Sequence, residues 1–480
     1  VCKPLNADGY PDYVEALNDS LMDGVSADNN AGPIILEVTG TERATGKWKQ
    51  EASRRLGTAP PPSDGMYKEY LDWIARLMLT RLDPNGKEFP PPKDGSWADT
   101  YFDEETSTKL WKDFVGSTMM PWVPAQIKDE DKAQWLKENE AAFQRLDEAC
   151  ARTRFYIPIV TEDGRLGTDQ DIFLKGPGIP GCGFYSQISS ALLARAMLRI
   201  GSDNVGGFEH DVLLCMRFAR LVAQQPRLSN YLIAESIDSR VMRYVRAAAD
   251  KLSVEQVNHL MKQIAAMPPM PTPAGIFDLY QRYEGLGILC DQRQHGFSRR
   301  FTNRGWENNW EWIGIHFVPL NFNKSLRIAN EFCDQFRDAF GLSTYAERKA
   351  RLTGIDLRKD RMADASKWET FVSPENLIWI VLPYAGHINE IYTENLTQRD
   401  LTLTALTLRL AWLEKGAYPD DSVASFLVPT DRFTGKLLLY RKEGGGYVLY
   451  SAGRNLKDDG GKDQEDDDPN TGDIVVRIER

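Results

Sequence analysis

The 480-residue chain has no CxxC pair, no HExxH or HxH spacing, and no GxSxG elbow, P-loop or GxGxxG that follows a strand. Each absence removes a class of chemistry. Cys2, Cys150, Cys182, Cys215, Cys290 and Cys333 are scattered singly, which excludes a zinc ribbon or a thioredoxin-type motif and leaves buried thiols, or one or two disulfides in an oxidising compartment. No apolar run reaches the roughly 18 to 20 residues that cross a bilayer. No Lys/Arg block provides the basic face that neutralises phosphates, so nucleic-acid binding is set aside. His210, His259, His295, His316 and His387 lie far apart; only His387 and Glu390 stand one helical turn apart, and two ligands alone do not make a metal site. Cys182 precedes a helix in "GPGIPGCGFYSQ", a place that stabilises a thiolate, but no base accompanies it. No pair among 69 acidic residues stands out as general acid and base, so no catalytic residue is assigned.

What the chain does have is a core and an uneven charge. Apolar residues make up 42%, enough for a folded protein of this length. The net charge is -11, of which residues 455–473 supply a net -6, with eight acids against Lys457 and Lys462. The rest is only mildly acidic.

Helical spacing dominates the order of elements. "PDYVEALNDSLMDG" and "MYKEYLDWIARLMLTRL" carry stripes at Val14, Leu17, Leu21 and Met22 and at Tyr70, Ile74, Leu77 and Met78; "APPPSD" and "FPPPKDGSW" separate helices as extended connectors. "IKDEDKAQWLKENEAAFQRLDEACAR" reads as one charged amphipathic helix capped by Asp129 or Asp131. From 183 to 295 the helices are longer: one stops at Gly201, one aligns Ile233, Ile237, Val241, Tyr244, Val245 and Ala248, and one opens with Ser253 and Gln256 in capping-box spacing. A long helical segment from Pro374 to Lys415 carries Leu401, Ala405, Leu408 and Trp412 before stopping at Gly416. No fixed repeat period emerges, so the body, mainly α, is expected to be an irregular bundle or α-solenoid-like array. Three regions follow: 1–150 with its proline-rich connectors, 151–400 as helical body, and 401–480 as a long helix with a small antiparallel β module.

Two stretches invite a binding role. "GFSRRFTNRGWENNWEWIGIHFVPL" gathers Trp306, Trp310 and Trp312 with Arg299, Arg300 and Arg304; rings and guanidiniums of this kind form a groove for a sugar or peptide, or a loop packed by its own side chains. The second is the C-terminal "KLLLYRKEGGGYVLYSA", a hairpin turning at Gly444 to Gly446, followed by a loop rich in oxygen donors and glycine.

The residues around that hairpin carry a resemblance. Gly416, Tyr418 and Pro419, then Asp431, Gly435 and Tyr440, then Tyr450, Ser451, Gly453 and Asn455, Gly460 and Gly461, and finally Asp473 and Ile474 follow the pattern of the soluble part of type II secretion pseudopilins. The likeness covers roughly residues 401 to 478. It implies a calcium ion in the loop, held by Asn455, Asp458, Asp459 and Asp473 with the backbone oxygen of Ala452; hard oxygen donors in a loose geometry suit calcium better than magnesium or zinc. Asn455 replaces the usual Asp and lowers the charge of the site. The alternative is a solvated acidic loop. Pseudopilins lead into this module from one hydrophobic helix, whereas a long helical region without a prepilin cleavage pattern precedes it here, so an ordinary pilus subunit is not expected.

The whole chain, including "GYPDYVEALNDSLMDGVSADNNAG" and "RLVAQQPRLSNYLIAESID", resembles a group of uncharacterised bacterial proteins associated with planctomycetes. That resemblance implies an extracytoplasmic, cell-envelope location, with a signal or membrane-anchor segment upstream of Val1. The combined expectation is a non-catalytic envelope or secreted scaffold that binds a protein partner and is stabilised by calcium. The alternatives are an accessory of a secretion or pilus-like assembly, and an enzyme or glycan- or peptide-binding protein using the Trp306 to Trp312 region.

Overall fold

Ser253 and Gln256 form the expected capping box: Gln256 N–H donates to Ser253 Oγ at 3.3 Å and Ser253 N–H donates to Gln256 Oε1 at 2.9 Å. Two of the four orphan donors of that helix start are thereby satisfied reciprocally. The computed structural model describes residues 4–6, 9–41, 44, 46–92, 97–109, 130–160, 182–225, 227–295, 322–363, 385–424, 427–463 and 471–479. The longer helices are α1 (Tyr13–Met22), α2 (Gly32–Thr39), α3 (Gly46–Leu56), α4 (Tyr70–Leu82), α5 (Glu130–Glu138), α6 (Glu140–Cys150), α7 (Cys182–Gly201), α8 (Val205–Val222), α9 (Leu228–Ala248), α10 (Val254–Ala266), α11 (Arg282–His295), α12 (Phe322–Phe340), α13 (Tyr345–Ala363) and α14 (Ala385–Lys415). Near the C-terminal end β1 (Leu439–Glu443), β2 (Gly446–Ser451) and β3 (Ile474–Ile478) form one antiparallel sheet in the order β1-β2-β3. The chain is thus mainly α with a small β module. Among the described residues no helix is long and apolar enough to cross a membrane.

The single helix expected across residues 130–150 is two, α5 and α6, broken at Asn139. That residue is fully buried, and its side chain accepts from Lys68 N–H at 2.8 Å while its Nδ2 donates to Trp135 O at 3.1 Å. Holding a distant backbone amide is incompatible with a surface position on one continuous helix, and the chain bends there instead.

A second departure concerns the extended segment after α6. Arg154 O accepts from Ala31 N–H at 2.8 Å, but beyond it the backbone pairs with no strand among the described residues. Amide side chains take that role. Asn18 Oδ1 accepts from Ile159 N–H at 2.9 Å while Asn18 Nδ2 donates to Ile159 O at 2.8 Å. Asn30 brackets Tyr156 N–H and O at 2.8 and 3.1 Å, and Gln224 and Gln225 reach Phe155 N–H and O at 3.0 and 2.8 Å. Phe155 and Ile159 can then be buried with their backbone N–H and C=O groups both paired.

Helices α7, α8 and α9 pack in sequence, and α9 packs in turn on α14. Ile237, Val241, Tyr244, Val245 and Ala248 of α9 are buried as the sequence stripe predicts and Ile233 is half-buried, yet Glu235 opposite the stripe and Asp238 and Arg240 on its flanks are buried as well. The helix is sandwiched, so both faces lose water. Helix α14, 31 residues and about 46 Å long, runs through all three apolar clusters formed by the described residues. Ala385 and Ile388 join the cluster of α1, α11 and α12; Leu406 joins the largest one, around α7 to α9; Leu401, Ala405 and Leu408 pack under the sheet against Tyr447, Leu449, Ile474 and Val476. Its buried threonines close their hydroxyls onto their own helix, as Thr393 does to Asn389 O at 2.7 Å and Thr397 to Thr393 O at 2.8 Å. The apolar clusters therefore cross positions 150 and 400 and are not confined within the three sequence regions.

Candidate functional site

The acidic loop begins where β2 ends, and its first turn is fixed by polar bonds beneath it. Ser451 Oγ donates to the buried carboxylate of Asp431 at 2.7 Å and accepts from Gly453 N–H at 3.1 Å. Gly453 and Leu456 then take left-handed backbone angles, φ 64° and 62°, which turn the chain back toward the sheet. Arg454, between them, has only 8% of its side chain exposed; its Nη2 lies 2.5 Å from Glu394 Oε2 and its Nη1 3.6 Å from Glu390 Oε2, both on α14. The loop is strapped to the long helix.

From there the chain folds over the outer face of β2. Gly460 and Gly461 again have positive φ, and a Cβ at Gly461 would stand 2.8 Å from Val448 Cγ1. This cover explains why β2 is buried on both faces rather than alternating. Asp473, just before β3, lies at the bottom, fully buried. Its Oδ2 accepts from Gly461 N–H at 2.7 Å and its Oδ1 from Asp459 N–H at 3.3 Å. Burial raises its pKa above the usual carboxylate range, the two N–H bonds oppose this, and the nearby charges of Asp459 and Asp458 raise it further.

The expected ligands are thus gathered in one loop, and each of the four side chains already has a bond. Asp458 Oδ1 accepts from Tyr450 OH at 3.1 Å and from Gly460 N–H at 2.9 Å. Asn455 Oδ1 accepts from Lys457 N–H at 2.8 Å, which turns its Nδ2 toward Asp459 Oδ2, also at 2.8 Å. Ala452 is buried at the loop entrance. Among the described residues no group of three or more His, Cys, Asp or Glu side chains is placed to hold a metal ion. The donors nevertheless fit a hard cation in kind: they are all oxygen, and the mutual repulsion felt by Asp473 is the strain a positive charge relieves. Closing on one requires Asn455 to turn its amide oxygen inward.

Elsewhere, Trp306, Trp310, Trp312 and Arg300 lie outside the described residues. His387 is exposed, with Nδ1 3.5 Å from Glu390 Oε2, the same oxygen that faces Arg454, so that pair belongs to the strap. Cys150, Cys215 and Cys333 are buried free thiols whose pKa values burial pushes up, to about 12 for Cys215 and Cys333. They are packing residues. Sequence reasoning missed Arg454 and Glu394; the only signal was a basic residue inside the "YSAGRN" turn of an acidic loop.

No family model, no curated protein and no solved structure matches the chain.

Proposed function

We propose that the protein is a non-catalytic scaffold of the cell envelope or the extracellular space, binding a protein partner and stabilised by a calcium ion in the 452–473 loop. The observation that carries this reading is the buried Asp473 carboxylate with Asp458 and Asp459 close enough to raise its pKa. Asn455, Asp458, Asp459, Asp473 and the carbonyl of Ala452 would hold the ion, whose contribution is charge neutralisation and loop order. The coupling to the body is already built: Arg454 joins the loop to Glu394 of α14, and α14 reaches each apolar cluster of the described residues. The likeness to pseudopilins points the same way. An accessory role in a secretion assembly is the weaker reading, because α14 is already packed on α9, α10, α13, β2 and β3 and offers little free face for a partner helix.

Thermal melts with calcium, with magnesium and with EDTA test the proposal, using the intact protein and Asp459→Asn. Asp459 is chosen because removing Asp473 would also release two backbone N–H groups. A rise specific to calcium and abolished in the variant is expected, as binding to the folded state stabilises it by mass action. A calorimetric titration with no heat of calcium binding would sink the reading.

A further inference from the structure

The connector after α10, "MPPMPTP" from Met267, is anchored on α8 by Arg220, whose Nε donates to Pro268 O at 2.6 Å. Between this connector, the adjoining face of α8 and the turn that follows α6 lies an open groove of about 550 Å³. That is within the roughly 300–1,000 Å³ typical of small-molecule sites. Leu221, Met267 and Pro269 supply an apolar wall, Arg152, Arg217 and Arg220 supply positive charge, and the wall contains no Asp or Glu among the described residues.

Two of the three guanidiniums, those of Arg152 and Arg217, form no ion pair among the described residues, whereas Arg220 is paired with Asp238. Arg217 is exposed and has neither a hydrogen bond nor an ion pair among the described residues. Arg152 donates to the carbonyls of Ala27 and Asp28, which hold its guanidinium without cancelling its charge. Arg220, one turn beyond Arg217 and nine-tenths buried, is fixed by Met216 O at 2.8 Å and by Asp238 at 2.6 Å, while its Nη2 has no partner among the described residues. Asp238 also lies near enough to Arg399 for its charge to act on that guanidinium. In a chain of net charge -11, this is a local excess of guanidinium beside an apolar wall.

We propose that the groove binds a small apolar molecule bearing one carboxylate. The forked donors of Arg217 and Arg152 match a carboxylate, and the wall of Leu221, Met267 and Pro269 takes the apolar part. Nothing in this inference depends on the calcium loop.

Titration calorimetry of the whole protein at low salt tests it with three probes: octanoate, octan-1-ol and inorganic phosphate. Octanoate is expected to bind saturably, and octan-1-ol and phosphate each at least about tenfold more weakly, the difference a charge-assisted hydrogen bond makes. Arg217→Glu should weaken octanoate by about tenfold or more without changing the melting temperature, because the side chain is exposed and unpaired among the described residues. Met267→Asp should act in the same direction by placing a negative charge in the wall. Absence of octanoate binding, equal binding of octan-1-ol or of phosphate, or an Arg217→Glu protein that binds octanoate normally would each overturn the proposal.

Discussion

Asn18 of α1 grips both backbone polar groups of Ile159, 141 residues away, with its amide oxygen on the N–H and its amide nitrogen on the carbonyl, at 2.9 and 2.8 Å. One side chain thus does for Ile159 what a neighbouring strand would do. The site is fully buried, so water cannot substitute when the amide is lost. Asn18→Leu keeps the volume and strands both groups, and each unsatisfied buried group costs about 1–3 kcal/mol. Equilibrium urea unfolding should show a loss of about 3 kcal/mol. A loss below about 1 kcal/mol would mean the segment finds other partners.

Glu235 is a buried acid whose ionisation opposes folding. It is 1% exposed between α9 and α14, with Asn395 Nδ2 donating to its Oε2 and no partner for Oε1 among the described residues. Burial is the largest influence and pushes its pKa from 4.5 up to about 8; Tyr231 and Asn395 oppose this, Asp238 adds to it and Arg220 opposes it. A folded-state pKa above the unfolded one means the native protein holds the proton more tightly. Stability from this group is therefore full below about pH 4.5, declines as pH rises toward 8, and levels off above it. Glu235→Gln keeps the shape without the titration. It should be more stable than the parent by at least about 1 kcal/mol at pH 7.5, with the gap closing near pH 4.5. Chemical denaturation across that range checks it, and parallel curves for both proteins would contradict it.

Gly460 and Gly461 separate two costs that usually arrive together. Both have positive φ, 74° and 77°, but a Cβ at Gly460 meets open space while one at Gly461 meets Val448 Cγ1 at 2.8 Å. Gly460→Ala should lose about 1 kcal/mol, from the left-handed backbone alone. Gly461→Ala adds the clash and should lose about 1–3 kcal/mol more. Hydrogen exchange at Val448 and Tyr450 should rise only in the second variant; equal losses would place the loop away from β2.

Much of the fold is legible in the sequence because it rests on local rules. The Ser253/Gln256 box, the buried face of α9 and the Leu401, Ala405, Leu408 stripe follow from spacing alone. What was hidden depends on what lies opposite. Asn18, Asn30 and Asn139 look like surface amides until the backbone they hold is in place. Glu235, Asp238 and Arg240 belong on a solvated face unless another helix covers it. In the loop, Asp458, Asp459 and Asp473 were singled out by the resemblance to pseudopilins, while Arg454 was not singled out at all, since Glu394 lies 60 residues upstream.

The path of α14 has a consequence for how the chain is made. Its N-terminal turns find α13 already synthesised, and Leu406 finds the earlier helices, so the first part can dock at once. Leu401, Ala405 and Leu408 must wait for Tyr447, Leu449, Ile474 and Val476, which follow later in the chain. Until β3 leaves the ribosome the helix carries an uncovered apolar strip beside a finished body. That interval is when the nascent protein most needs protection from association, and closing the last strand ends it.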